Sequence, residues 1–156
     1  MIIIDLRNNG GGSPYGVQLL SSYFLPANTP LNTIEWRKKE SFLIEKSNAL
    51  PYEIIPQEKR FMNTPLYILT SHRTFSAGEE FANNMKALNR ATIIGEITKG
   101  GANPGRSHPL NDLFEIFIPD GQSINPHNGS NWEGIGIIPD FFVPAHEALD
   151  FSLSLQ

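Results

Sequence analysis

Residues Ile2 to Leu6 form a short, nearly unbroken apolar run that stops at Arg7-Asn8-Asn9-Gly10-Gly11-Gly12. A run of this length without polar alternation reads as a strand covered on both faces, as in parallel sheets. The three glycines give the chain a tight path that side chains would obstruct. A helix is expected next, because Tyr15, Leu19, Leu20, Tyr23 and Phe24 recur at helical spacing, with Pro14 near the first turn and Pro26 ending the run. Strand, glycine loop and helix make an α/β unit, and such a unit demands a sheet with helices to cover it.

A second unit of the same kind follows. Leu66, Tyr67, Ile68 and Leu69 within Pro65 to Thr70 read as a central strand, followed by a short turn over Ser71 to Phe75. A helix is expected from Ser76 to Leu88, burying Phe81, Ala82, Met85 and Leu88. Ala91 to Gly95 gives a third strand, so strand, helix and strand form a parallel crossover expected to be right-handed. Between the two units, Ile34, Trp36, Phe42 and Ile44 alternate with polar neighbours, which predicts a hairpin over Leu31 to Glu45. Ser47 to Asn63 carries prolines and no clean period, and reads as a surface connection with one helical turn. Beyond Gly95 the chain becomes β-rich and irregular. A loop over Gly100 to Gly105, a strand over Leu113 to Ile118, a turn at Asp120-Gly121, a strand over Phe141 to Val143 and a helix over Ala145 to Leu155 are expected. The 156 residues, 40% hydrophobic, suffice for one domain with one core.

Composition excludes several function classes. The formal net charge is −4, and basic residues cluster only at Arg37-Lys38-Lys39, so the footprint of a nucleic-acid binder is absent. Without cysteine there are no disulfides, thiolate metal sites or cysteine nucleophiles. The apolar runs are too short to span a bilayer, and no signal-type segment opens the chain. His72, His108, His127 and His146 lack the spacing of metal ligands, and neither metal nor cofactor is expected. A buried-strand pattern starting directly after Met1 reads as a fragment lacking an N-terminal portion.

Ser76 stands where a strand-to-helix turn exposes a hydroxyl and where the N–H groups of a first helical turn point outward. It is a candidate nucleophile, with half of an oxyanion hole supplied by its own helix and half by the glycine loop. Ser76-Ala77-Gly78-Glu79 is equally a capping box. The glycines would also serve a tight turn, whereas a phosphate cradle would need the Lys-Ser/Thr ending of a P-loop, which is missing.

Four blocks in order carry a resemblance: Ile3-Ile4-Asp5-Leu6-Arg7-Asn8-Asn9-Gly10-Gly11-Gly12, Leu69 to Phe81 with Ser76 at its centre, Ile94 to Gly101, and Asn131-Trp132-Glu133-Gly134 running on to Asp140. Together they resemble the C-terminal-processing (tail-specific) serine peptidase family. The last block is similar to the branch holding tricorn-core-like peptidases and the modules of interphotoreceptor retinoid-binding protein. The resemblance implies a crotonase- or ClpP-like ββα superhelix, a mixed sheet flanked by helices, with no PDZ domain in this stretch. It places the nucleophile at Ser76, the oxyanion hole at the N–H of Ala77 with Gly10 or Gly11, and an orienting acid at Glu133. Members with a Ser-Lys dyad carry their lysine where this chain has Gly101, and Lys99 is two positions out of register. In the other branch a histidine base lies before the first strand, outside this chain. His72 is the tempting substitute, four residues before Ser76, while His108, His127 and His146 match no role.

The expected function is therefore peptide-bond hydrolysis through an acyl-enzyme, incomplete and inactive in this stretch alone, on a peptide or protein substrate. The alternative is a non-catalytic module binding an apolar ligand. An incomplete sheet would leave an open edge inviting homo-oligomers. The resemblance leans toward the periplasm or cell envelope of a bacterium.

Overall fold

The computed structural model describes residues 1–37 and 55–155 in full and 44–47 by their backbone. In chain order the elements are β1 (Ile2–Asp5), α1 (Pro14–Ser22), β2 (Thr33–Arg37), β3 (Ile44–Ser47), a 3-10 turn (Gln57–Lys59), β4 (Leu66–Thr70), α2 (Ala77–Ala87), β5 (Thr92–Gly95), β6 (Gly105–Pro109), β7 (Glu115–Pro119), β8 (Gly121–Ile124), β9 (Phe141–Phe142) and α3 (Ala148–Ser154). None of the described helices is long and apolar enough to cross a membrane.

The apolar runs read as central strands do pair. β1, β4, β5 and β9 form one parallel sheet in the order β1-β4-β5-β9, with Ile2 opposite Leu66 and Ile68 opposite Ile93. Side-chain alternation sends Leu66, Ile68 and Ile93 to one face, where they join Leu6 just after β1, Val17 of α1, Phe24 just beyond it, and Phe81, Ala82 and Met85 of α2. Leu69 and Ile94 point the other way and meet Ala148 of α3. β4 and β5, at the centre, are thus covered on both faces, which is why their apolar residues run without alternation.

A second, antiparallel sheet has the order β3-β2-β8, and β6 pairs with β7 as a separate ribbon. The hairpin over residues 31–45 is present as β2 and β3, its second strand ending at Ser47, while Phe42 lies outside the described residues. Of the connection expected over residues 47–63, the described part contains the 3-10 turn.

The spacing expected for the first helix holds in part. Phe24 is buried and Leu20 and Tyr23 pack against the core, whereas Tyr15 and Leu19 are exposed and Val17 and Ser21 lie inside. Asp120-Gly121 is no simple turn, because Gly121 starts β8 opposite Trp36. A Cβ there would sit 3.0 Å from the indole ring and 2.8 Å from Pro104, so glycine is selected by ring packing inside a strand. The strand expected over residues 113–118 is present as β7, and its five residues are all exposed.

Candidate active site

Three hydrogen bonds sew the turn after β4 onto the end of β1. Thr74 Oγ1 donates to the Leu6 carbonyl (2.8 Å), Ser71 Oγ to that of Arg7 (2.6 Å), and the Phe75 N–H to that of Asn9 (3.0 Å). Because β1 and β4 are neighbours, the glycine loop and Ser76 are brought side by side. A Cβ on Gly11 would lie 3.0 Å from the Ser76 Cβ and 3.5 Å from its Oγ, with φ already at +116°. Only glycine suits that position. Gly10 and Gly12 face open space.

Ser76 itself is strained. It has φ +53° and ψ −117°, a region that non-glycine residues avoid and that is held only where the surroundings enforce it. The capping-box residues are in place, and the Ser76 N–H donates to Glu79 Oε2 at 2.8 Å. Ser76 thus fills the cap role that local sequence rules assign it, in a backbone geometry that the role alone does not require. The N–H of Ala77 and those of Gly10 and Gly12 donate to no described residue, whereas that of Gly11 donates to Asn9 Oδ1 at 2.9 Å.

The buried carboxylate of Glu79 organises the far side of the site. Besides Ser76 it accepts from Thr98 Oγ1 (2.5 Å), Gly100 N–H (2.6 Å) and Gly101 N–H (2.8 Å). Thr98 Oγ1 in turn accepts from the Ile137 N–H at 2.7 Å. Nothing beyond the capping pattern in the sequence announced this role.

Glu133 is exposed and its Oε2 accepts from the N–H groups of Ala102 (2.7 Å) and Asn103 (2.8 Å). A cavity of about 640 Å³ brings Ser76, Ala77 and Glu133 together with Gly12, Phe75 and Glu80. Glu80 was not anticipated. Burial pushes its carboxyl up to about 7.

The lysine position of the dyad is closed by packing. A Cβ on Gly101 would fall 1.9 Å from Cε2 of Phe75, whose ring fills the space a side chain would enter. Lys99 lies over that ring with its Nζ 4.9 Å from the centroid and does not line the cavity. His72 is also held elsewhere, its Nδ1 2.9 Å from Glu96 Oε2. That contact, with the N–H groups of Ala145 and His72, holds the Glu96 carboxyl below its ordinary range. His127 contacts the Pro30 carbonyl, His146 lies beside Glu147, and His108 is exposed on β6. No histidine or lysine among the described residues lines the cavity, and they form no cluster able to hold a metal.

Comparison with known proteins decides the family, because residues 1–143 match the model of peptidase family S41. The chain belongs to peptidase family S41. It is 28% identical over 139 residues to the carboxyl-terminal-processing protease of Synechocystis sp., covering 88% of this chain and 30% of that protein. It is 26% identical over 139 residues to carboxyl-terminal-processing peptidase 1, chloroplastic, of Arabidopsis thaliana, covering 89% of this chain and 26% of that protein. The chain thus spans under a third of the curated relatives it matches. Among solved structures, the photosystem II D1 C-terminal processing protease superposes with a TM-score of 0.65 at 22% identity, over 92% of this chain and 34% of that one. That likeness supports the ClpP- and crotonase-like fold expected from the sequence, a parallel sheet flanked by helices.

Proposed function

We propose that this S41 chain carries the nucleophile of a serine peptidase acting by an acyl-enzyme mechanism, with Ser76 as the attacking residue. The observation that carries the reading is the strained backbone of Ser76, a residue that lines the cavity beside the unpaired Ala77 N–H. Ser76 Oγ would bond to the carbonyl carbon of a peptide while its proton passes to a base. The developing oxyanion would be received by the Ala77 N–H and one from the glycine loop, where Gly10 is unpaired and Gly11 approaches closest. Breaking the C–N bond releases the amine, which takes the proton from the base, and water then hydrolyses the ester.

The base is a histidine from outside residues 1–156, as the resemblance implies, since the described cavity wall offers neither histidine nor lysine. Glu133 orients it through Oε1, its other oxygen being held by the Ala102 and Asn103 N–H groups. The names of the relatives, carboxyl-terminal-processing proteases, support a protein substrate cut near its C-terminus. Residues 1–156 form the nucleophile-bearing part of the catalytic domain, inactive without that base.

Fluorophosphonate labelling of the longest polypeptide the gene encodes, followed by intact mass, tests this. One adduct is expected on the parent protein and none on Ser76→Ala, and equal labelling of both removes Ser76 from the mechanism. A second reading, a module for an apolar ligand, draws on the Ile34, Phe75, Phe117 and Trp132 side chains around the cavity. It predicts no adduct but saturable binding of an apolar fluorophore that Ser76→Ala leaves unchanged.

A further inference from the structure

We propose that the cavity beside Ser76 is a side-chain subsite selective for a basic residue, lysine or arginine, and that Glu80 is the residue that reads the charge. The inference rests on the peptidase reading of Ser76 and names the class of side chain its substrate presents. Glu80 lies one helical turn beyond Ser76 on α2, its N–H donating to the Ser76 carbonyl at 2.9 Å. Both residues line the same cavity of about 640 Å³.

The charge balance of that cavity is one-sided. Among the described residues its lining holds two carboxyl groups, Glu80 and Glu133, and no lysine, arginine or histidine. Glu133 is partly satisfied by two backbone N–H groups, whereas the Glu80 carboxyl makes no hydrogen bond or ion pair with any described residue. A half-buried carboxyl without a partner is unfavourable unless something arrives to pair with it. Its elevated proton affinity has the same cause, the loss of solvation on burial.

The walls suit the rest of a basic side chain. Ile34, Phe75, Phe117 and Trp132 offer apolar surface to an aliphatic stem, while the charged end reaches Glu80. A leucine or alanine in the same space would leave the carboxyl buried against hydrocarbon. Basic side chains therefore gain from Glu80 what neutral ones lose to it.

The test uses two peptidyl diphenyl phosphonates that differ only in the residue next to phosphorus, lysine in one and norleucine in the other. Norleucine keeps the stem and drops the ammonium. Ser76 Oγ bonds to phosphorus, phenoxide leaves, and the serine proton passes to the base. On the longest polypeptide of the gene, the lysine probe is expected to label Ser76 at least about tenfold faster than the norleucine probe. In Glu80→Gln the ratio is expected to fall to about one while the norleucine rate stays within about threefold. Equal or norleucine-favouring rates in the parent protein overturn the proposal, as does a ratio unchanged in Glu80→Gln. Equal slowing of both probes also overturns it, by placing Glu80 in the chemistry. If neither probe labels Ser76, the peptidase reading fails separately. The matched lysine and norleucine peptide amides, titrated calorimetrically into Ser76→Ala, then read the subsite alone. Tighter lysine binding that Glu80→Gln abolishes supports it, and no difference between the two peptides, or no binding, overturns it.

Discussion

Two glycine segments flank Ser76, and they are built on opposite principles. Gly10 and Gly12 have nothing within 4 Å of where a Cβ would stand, and their N–H groups pair with no described residue. Gly100 and Gly101 are crowded by Gly134, Ile135 and the Phe75 ring, and their N–H groups both go to Glu79. Lack of a side chain therefore serves two ends. On one side it leaves backbone exposed for a ligand to approach, and on the other it lets backbone close onto a buried carboxylate. The packed side supplies rigidity, and the open side supplies unused donors, so function and stability should separate when each is altered.

The largest effect is expected at the packed side. Glu79→Ala would leave the N–H groups of Ser76, Gly100 and Gly101 and the Thr98 hydroxyl without their acceptor in the interior. Removing the acceptor from a buried network of this kind costs about 3–5 kcal/mol. Urea denaturation reads this directly, and a loss under about 1 kcal/mol would mean that the 98–101 segment holds its place without Glu79.

Gly101→Ala comes next, since the new methyl meets the Phe75 ring at 1.9 Å and the ring must move. Overpacking of this sort costs about 1–3 kcal/mol. Phe75→Leu on the same chain should recover part of it, with a coupling of at least about 0.5 kcal/mol in the double-mutant cycle. Strict additivity would show that the ring is not what excludes a side chain at 101. The same cycle bears on the missing dyad lysine, because a lysine there would need the space that Phe75 takes.

Much of this arrangement was legible in the residues and some was not, for identifiable reasons. Strands buried on both faces are apolar at every position, so β1, β4 and β5 stood out from local composition. β7 was legible over residues 113–118, but its partner β6 was not, because the largely exposed Gly105–Pro109 segment carries no alternation that one covered face would impose. Gly121 looked like a turn residue although a ring from a distant strand selects it. At the site, Ser76 and Glu133 lie in recognisable blocks, and the structure places both on one cavity. Glu79 and Glu80 are adjacent letters of one helix start with opposite surroundings. One is wrapped by four donors, three of them 19 to 22 residues away, and the other is left alone on the cavity wall.

The smallest effect on stability, and the one that most sharpens the comparison, is expected at Gly10. Gly10→Ala introduces a methyl into open space at a residue whose φ lies outside the left-handed region. Shrinking the conformational freedom of the unfolded chain should leave stability unchanged or raise it by about 0.4–1 kcal/mol. Labelling of Ser76 should nonetheless slow, by about tenfold, because the methyl obstructs the approach of a ligand to the loop that the glycine leaves bare. A protein of unaltered or greater stability with reduced labelling would show that the open segment is kept for the ligand. Unchanged labelling would instead reduce Gly10 to a turn residue and leave Ala77 as the oxyanion donor this comparison supports best.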